Sequence, residues 1–331
     1  MTVPSADELL FVALGGAGEI GMNLNLYGHA GKWLMVDLGI AFTDDTMPGV
    51  EVVMPDPQFI EERRENLAGI VLTHAHEDHL GAVPDLWPRL KAPVYATPFA
   101  ASVLRRKLTE AGLRDKVPVV EIPLGGKFRV GPFDLEMVTM THSIPEPNAL
   151  AIRTRLGTVF HTGDWKIDPD PLLGELTDEA RLKQIGEEGA LAMVCDSTNV
   201  FVEGEAGSEA KVRANLEKVV KTRKNRVAVT CFASNVARLQ SIAAAAQAGE
   251  ACRNAGLDLM ESGPRHRSPE IVPENSSRSR SVGLSLLYMP RVTASPMPPK
   301  RSQSSPMPMG IICVRDWNSS SSLLAFCGKK L

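Results

Sequence analysis

The sequence predicts an α/β fold in which successive strands deliver metal ligands at their ends. Apolar runs of strand length alternate with helix-like segments, and several of the runs end in Asp or His. The densest case is the apolar run 69–72, which leads into three imidazoles and two carboxylates within residues 74–79. Ligand sites of α/β sheets lie at the carboxyl ends of strands. We therefore interpret this loop as a metal site rather than as a solvated His-rich loop.

Composition limits the class of protein. The chain has 331 residues, and 44% of them are apolar, which is enough for two domains with a sizeable core. The five cysteines form no C-x-x-C pair, which indicates reduced thiols rather than a disulfide framework. The N-terminus lacks a signal-peptide pattern, and no apolar run reaches membrane-spanning length. We expect a cytoplasmic protein without membrane contact.

A glycine-rich stretch near the N-terminus does not predict a nucleotide site. Residues 15–21 contain a literal G-x-G-x-x-G. The dinucleotide fingerprint requires a helix to begin at these glycines, whereas here strand-like runs lie on both sides, at 9–14 and 23–27. We expect the glycines instead to let the backbone approach the metal loop closely.

The remaining elements follow in a simple order. We predict helices over 84–90 and 98–112, and strands over 33–37, 93–97, 117–122, 127–130, 133–141, 149–153, 158–162 and 190–195. Four further candidates stand at strand ends: Asp37, His142, Asp164 and Asp196. Asp37 is placed to hydrogen-bond a ligating histidine, although a simple turn former would look the same. His161 lies inside a strand and is expected to be structural.

The residues at this point carry a family resemblance. The motif His74-x-His76-x-Asp78-His79, with His142 and Asp164, resembles the successive motifs of the metallo-β-lactamase fold. The phrases at 15–23, 141–146, 161–168 and 195–199 narrow the resemblance to the ribonuclease J family of the β-CASP nucleases. The resemblance implies an αββα sandwich over 8–204, interrupted by an inserted β-CASP domain whose beginning is 205–250. It also implies RNA cleavage, as exonuclease, endonuclease or both, in RNA processing and decay.

The resemblance also implies a ligand set. One ion is held by His74, His76 and His142, the second by Asp78 and His79, and Asp164 lies between them. Mixed imidazole and carboxylate donors suit two Zn²⁺ ions, with Mn²⁺ as the alternative. Two such ions can share a hydroxide and clamp a phosphodiester. Asp78 and Asp196 are the catalytic candidates, and Asp196 matches the residue that protonates the leaving oxygen. Complete members are expected to form homo-oligomers.

The start of the insertion supplies candidate RNA contacts. A basic helix is predicted over 206–224, a strand over 226–231 and a helix over 236–248. The helix 206–224 is either an RNA-facing surface or merely solvated. Ser234 and Asn235 stand at the N-terminus of the second helix, where backbone N–H groups favour an anion. We assign them to an RNA phosphate, although simple helix capping explains Ser234 equally well.

The last quarter of the chain has a different composition. Residues 1–250 carry 25 Lys+Arg and 34 Asp+Glu, whereas residues 251–331 carry 11 and 5 and fifteen of the 22 serines. Periodicity and the resemblance end at the same point, and His266 has no strand before it. We hypothesise that residues 251–331 come from a shifted reading frame or a comparable gene-level error and are disordered, and the alternative is a natural disordered extension. The final histidine of the second metal site is then missing, which predicts impaired nuclease activity.

Two other functions remain open from the residues alone. One is a thioester or lactone hydrolase of the same fold, which would not need the insertion that begins near residue 205. The other is a non-catalytic fragment that only binds RNA, which would hold less than one equivalent of metal.

Overall fold

A computed structural model describes residues 3–43, 47–223, 227, 229–248, 312–314 and 324–326. The chain divides into two compact units, Met1–Ala206 with Pro308–Leu331, and Gly207–Met307. Most of residues 251–331, which include the predicted tail and His266, lie outside the described residues. Within this part of the chain the structure describes two strands of three residues each.

The described residues form fifteen strands and seven α-helices. The strands are β1 (Leu9–Gly15), β2 (Leu24–His29), β3 (Lys32–Val36), β4 (Ala41–Phe42), β5 (Val52–Val53), β6 (Leu67–Val71), β7 (Val94–Ala96), β8 (Val119–Glu121), β9 (Lys127–Val130), β10 (Phe133–Thr139), β11 (Asn148–Thr154), β12 (Gly157–His161), β13 (Ala192–Val194), β14 (Ile312–Val314) and β15 (Leu324–Phe326). The α-helices are α1 (Gln58–Glu61), α2 (Glu77–Leu80), α3 (Val83–Leu90), α4 (Pro98–Glu110), α5 (Glu179–Glu188), α6 (Glu209–Lys221) and α7 (Val236–Ala248), and Arg64–Asn66 form a 3-10 turn.

The first unit contains two large sheets. The first has the order β14-β1-β2-β3-β6-β7-β8, and the second has the order β15-β13-β12-β11-β10-β9. In the first sheet β3, β6, β7 and β8 run parallel to one another. In the second sheet β10 and β12 are both antiparallel to β11, and β13 is parallel to β12, so β10, β12 and β13 point the same way. The carboxyl ends of each parallel set therefore meet at one edge of its sheet.

The core lies between the two sheets. Tyr27, Leu34 and Val71 of the first sheet form one buried cluster with side chains of the second sheet that include Phe133 and Ile152. This follows from the strand period of two, because alternate side chains of a strand such as β10 point to the same face. Burial of this apolar surface is the main source of stability for such a sandwich.

Helices cover the outer faces. α4 contacts β7 and β8 of the first sheet, while Ile185 of α5 packs with Val138, Ala149 and Ala151 on the outer face of the second. The order of layers is thus helix, sheet, sheet, helix, as predicted. The outer face of β10 also carries Glu136, which is buried and accepts two hydrogen bonds from Arg181 of α5, at 2.7 and 2.8 Å.

The second unit is described mainly through two helices. Ser208 caps α6 by accepting a hydrogen bond from the Lys211 N–H at 3.2 Å. Glu209 of α6 accepts from Arg238 of α7 at 2.9 and 3.1 Å, and Glu209 is buried. This paired charge joins the two helices near their N-termini. The prediction that this unit begins an inserted β-CASP domain stays a prediction.

The observed elements differ from the predicted ones in a few places. α1, α5 and the hairpin of β4 and β5 were not predicted, and neither was α2, which occupies part of the stretch predicted as a loop. Of the strand predicted over 226–231, the described residues 227 and 229–231 adopt no strand, so that prediction is wrong for them. Among the described residues, no helix combines the length and apolar character needed to cross a bilayer.

Candidate metal centre

The candidate centre is built from residues that follow strand ends of both sheets. In the first sheet, β3 is followed by Asp37 and β6 by residues 73–79. In the second sheet, β10, β12 and β13 are followed by His142, Asp164 and Asp196, respectively. Five strands are therefore followed by candidate site residues.

The first ligand group consists of His74, His76, His142 and Asp164. Each offers one ligand atom, and these atoms all lie within 4.8 Å of one another. His74 Nε2 is 3.0 Å from His76 Nδ1, which in turn is 3.2 Å from His142 Nε2. Asp164 Oδ2 lies 3.7 Å from His142 Nε2. Three imidazoles and one carboxylate thus converge on one point.

The second ligand group consists of Asp78, His79 and again Asp164, with ligand atoms within 4.8 Å of one another. His79 Nε2 lies 3.5 Å from Asp78 Oδ2 and 3.3 Å from Asp164 Oδ1. Asp164 therefore turns one oxygen towards each group. The six residues predicted as ligands all lie together in the structure.

One buried carboxylate orients an imidazole of each group. Asp37 is fully buried, and its Oδ1 and Oδ2 accept from the Thr73 N–H at 2.8 Å and the Thr73 hydroxyl at 2.9 Å. Asp37 Oδ2 also lies 2.7 Å from His79 Nδ1. Thr73 Oγ1 in turn is 3.0 Å from His74 Nδ1. The predicted contact between Asp37 and a histidine is present, and such contacts set the tautomer and direction of the ring.

The metal loop is held by close backbone contacts. A Cβ on Gly39 would lie 1.6 Å from Asp78 O, so only glycine permits the approach of these two segments. Asp78 O also accepts from both the backbone N–H and the side-chain amide of Asn23, at 3.1 and 3.0 Å.

The glycines of residues 15–21 do not play the part that we predicted for them. The atoms nearest to Gly15, Gly16 and Gly21 belong to residues 22, 23 and 41 rather than to the metal loop. β1 and β2 flank this stretch, and no helix begins at it, as the strand-like runs on both sides predicted.

Burial sets the charge of the first group. Burial lowers the pKa of His76 to about 4 and lowers the pKa of His74 and His142 as well. Burial alone would raise the pKa of Asp164, but His79 and the neighbouring imidazoles hold the pKa of this carboxyl well below its usual range. At neutral pH, three uncharged imidazoles therefore face a carboxylate.

The histidine of the second group, His79, has a raised rather than a lowered pKa. Burial opposes the charged form of His79, but Asp164, Asp37 and Asp78 outweigh this effect and raise its pKa well above the ordinary value. For Asp78, burial would raise the pKa, and the positive charge of His79 lowers it overall. This group is held together by one cation among carboxylates.

The residues present fit a metal ion on two counts. His76 Nδ1 lies 3.0 Å from His74 Nε2 and 3.2 Å from His142 Nε2, so three nitrogens of uncharged rings face one point, where a cation can bind all three. The donors are imidazole nitrogens and carboxylate oxygens only, which is the set that zinc and related divalent ions take.

The other predicted site residues are placed as follows. Asp196 Oδ1 accepts from the Thr198 N–H at 2.9 Å and from the Thr198 hydroxyl at 2.6 Å, and Asp196 belongs to neither ligand group. Asn235 Oδ1 caps α7 by accepting from the Arg238 N–H at 2.8 Å, so the side-chain cap bond comes from Asn235 and not from Ser234. His161 is buried, 2.9 Å from the Tyr27 hydroxyl, as expected for a structural residue.

Sequence reasoning did not identify Thr73 and Asn23 as parts of this site. Thr73 directly precedes the His-rich loop, and a hydroxyl at that position is the signal that could have been used. Asn23 carries no local signal, because its partner Asp78 lies 55 residues further along the chain.

The fold and the site define a protein with a metallo-β-lactamase fold. A family model described as a beta-lactamase superfamily domain matches residues 42–183, which include all six residues of the ligand groups. A crystal structure of a protein of unknown function from Enterococcus faecalis superposes with a TM-score of 0.52 at 16% identity, covering 71% of this chain and 63% of that chain. The predicted fold class is confirmed.

The similar curated proteins are ribonucleases J. The enzyme from Sinorhizobium meliloti is 53% identical over 246 residues, covering 73% of this chain and 44% of that protein. The enzyme from Thermus thermophilus is 38% identical over 248 residues, covering 73% of this chain and 43% of that protein. The resemblance to ribonuclease J is thus confirmed, and the chain spans less than half the length of these relatives.

Proposed function

We propose that this protein is a metal-dependent ribonuclease that hydrolyses RNA phosphodiester bonds, from the 5′ end, internally or both. The observation that carries the proposal is the pair of ligand groups that share Asp164. The similarity to ribonucleases J supports RNA as the substrate. We place this activity in the cytoplasm.

We assign one ion to His74, His76, His142 and Asp164, and a second ion to Asp78, His79 and Asp164. Zn²⁺ is the proposed ion, and Mn²⁺ is the alternative. When bound, a pair of divalent ions stabilises the negative charge that develops on the phosphate oxygens during hydrolysis.

The protein's own groups prepare this site. The lowered pKa values of the first three histidines keep each ring uncharged, so that one nitrogen of each ring carries no proton and can bind a cation. Asp37 accepts a hydrogen bond from the Nδ1–H of His79 and thereby directs Nε2 towards Asp78 and Asp164. Groups held in place by such hydrogen bonds need little reorganisation on binding.

Asp196 is the proposed proton donor to the leaving oxygen. Its Oδ1 accepts both hydrogen bonds from Thr198, so we assign the transferable proton to Oδ2. A general acid at such a position contributes roughly 100-fold or more to a hydrolysis rate. Asp196→Asn should therefore lower turnover by about that factor while leaving metal content unchanged.

The N-terminus of α7 is the proposed contact for an RNA phosphate. Asn235 caps the helix, and Ser234 precedes it with an exposed side chain. The first N–H groups of a 13-residue helix favour an anion. Loss of this contact in Ser234→Ala should raise the KM for RNA more than it changes kcat.

The test measures bound metal and cleavage of a 5′-monophosphorylated RNA by the full chain, its His74→Asn variant and a His29→Asn control. His29 is also buried, but it bonds to Glu8 O at 2.8 Å outside the ligand groups. Of the three proteins, we expect only the His74→Asn variant to lose bound metal and RNA cleavage. A wild-type chain that binds metal and hydrolyses thioesters but not RNA would contradict the proposal. RNA binding with less than one equivalent of metal would indicate a non-catalytic protein instead.

A further inference from the structure

A polar cluster outside the ligand groups joins two of the ligand loops. Thr141 directly precedes His142, and Lys166 lies two residues after Asp164. The Lys166 N–H donates to Thr141 O at 2.8 Å, and the Thr141 hydroxyl donates to the Lys166 carbonyl. Thr141 is buried, so these bonds are shielded from water. The loop of His142 is therefore tied directly to the loop of Asp164.

Thr177 completes this cluster from the segment before α5. Its Oγ1 accepts from the Thr141 N–H at 2.9 Å and lies 2.9 Å from Thr141 Oγ1. A hydroxyl has one proton to donate and two lone pairs to accept with. The proton of Thr141 goes to the Lys166 carbonyl, and one lone pair accepts from the Asp168 N–H at 3.1 Å. The Thr177 hydroxyl is thus the donor to the other lone pair, and it saturates Thr141.

The segment that carries Thr177 is itself fastened to β10. The Asp178 N–H donates to Thr139 O at 3.0 Å, and the Asp178 side chain caps α5 by accepting from the Arg181 N–H at 2.9 Å. The Arg181 guanidinium then bonds to the buried Glu136 carboxylate with two hydrogen bonds. Residues 177–181 therefore contact β10 and its extension at three successive points, which leaves Thr177 little freedom to move.

We propose that Thr177 is a positioning residue for the metal centre, and that its hydroxyl fixes the spacing between His142 and Asp164 through Thr141. The inference rests on the proposed function, because it takes His142 and Asp164 to be ligands of one ion. Removal of an outer partner of a ligand commonly weakens metal binding by about 10–100-fold. Thr177 acts one residue further out, so the expected loss is about tenfold, at the low end of that range.

The test is titration of the metal-free full chain with Co²⁺, followed by visible absorption, which reports both affinity and coordination geometry. Thr177→Val removes the hydroxyl at nearly constant size, and Thr177→Ser retains it. Thr154→Val is the matched control, because the Thr154 hydroxyl likewise makes one hydrogen bond as donor, to the Gly157 carbonyl, and one as acceptor, from the Leu156 N–H, both at 3.2 Å. These bonds lie at the end of β11 opposite to the site.

We expect Thr177→Val to bind Co²⁺ about tenfold more weakly, with an altered absorption band, while Thr177→Ser and Thr154→Val behave as the wild type. Equal affinity and an equal spectrum in Thr177→Val would overturn the inference, and so would an equal loss in Thr154→Val. If Thr177→Val does not fold, Thr177→Ala carries the same expectation. A wild-type chain that binds no Co²⁺ would instead refute the proposed metal centre itself, so the two failures are distinguishable.

Discussion

The two ligand groups share Asp164 but present different donors to an ion. The first has three imidazoles whose pKa values are lowered by burial, together with one carboxylate. The second has two carboxylates and a single imidazole, His79, whose pKa is raised. An ion entering the first group meets four unprotonated donors, whereas an ion entering the second must displace a proton from His79. We expect the first group to bind its ion with the higher affinity.

The same difference limits the cost of burying the charged groups of the site. Neutral imidazoles in the first group avoid the cost of buried positive charge, while protonated His79 neutralises part of the negative charge of Asp37, Asp78 and Asp164. The histidines of the first group are uncharged and ready to bind metal, whereas His79 of the second group keeps its proton and is stabilised by the nearby carboxylates.

Asp164→Asn should weaken both groups, because Asp164 is the one residue that they share. Since a direct ligand is lost, the affinity for each ion should fall by more than the roughly 100-fold that loss of an outer partner can cause. Calorimetric titration with Zn²⁺ measures both sites. The control is Asp170→Asn, an exposed carboxylate on the same loop. If only one of the two sites weakens, the shared role of Asp164 is wrong.

The metal-free chain should lose stability as the pH falls from about 6.5 to about 4, because the unfolded chain then takes protons that buried His76 refuses. The contribution of His79 to stability depends on pH in the opposite direction. Its contribution is complete below pH ~6.5 and is lost as the pH rises through its raised pKa.

Urea unfolding of the metal-free chain at pH 6.5 and 4.5 measures this effect. His76→Asn should remove about 2 kcal/mol of the acid-induced decline, which is the part of a pKa shift from about 6.5 to about 4 that falls between these two pH values. His29→Asn serves as the control outside the ligand groups. An unchanged decline in His76→Asn would show that the first group does not carry the acid sensitivity.

Asp37→Asn should weaken mainly the second group, by about 10–100-fold. An amide NH₂ in place of Asp37 Oδ2 would face His79 Nδ1, which lies 2.7 Å away, and would force the ring proton onto Nε2. The nitrogen that points at Asp78 and Asp164 could then no longer bind metal. Zn²⁺ titration should show the loss at the weaker site, and Asp56→Asn, on the surface, should show none. An equal loss at both sites would favour a general structural role for Asp37.

The sequence predicted well those parts of the fold whose signal is local. β1, β10 and α7 follow from apolar runs or helix-forming residues, and the ligands follow from unusual density of His and Asp after strands. α5 was missed because only Leu182 and Ile185 of this polar helix pack on the sheet. Its position depends instead on the pairing of Arg181 with Glu136, 45 residues away in the chain.

The contacts that orient the ligands could not be predicted for the same reason. Asp37 reaches Thr73 across 36 residues, and it does so from a left-handed backbone conformation with φ of +64°. Asp tolerates this conformation better than most residues, but nothing in the local sequence requires it. Motifs identify which residues are ligands, whereas the hydrogen bonds that aim them come from tertiary packing.

Two asparagines allow the groups to be loosened one at a time. The Asn23 amide donates to Asp78 O at 3.0 Å beside the second group. The Asn148 amide donates to Glu146 O at 2.7 Å and to Thr73 O at 3.5 Å, so the Asn148 side chain links the two loops of the first group.

Each replacement by Ala removes about 1 kcal/mol of hydrogen bonding, or roughly fivefold in an equilibrium constant. We expect Asn23→Ala to weaken the second ion and Asn148→Ala the first, as resolved by Zn²⁺ titration of the full chain. The paired variants control each other because they exchange the same amide for the same methyl group. If both variants weaken the same ion, the two groups are coupled through the loop 73–79 and cannot be treated as separate sites.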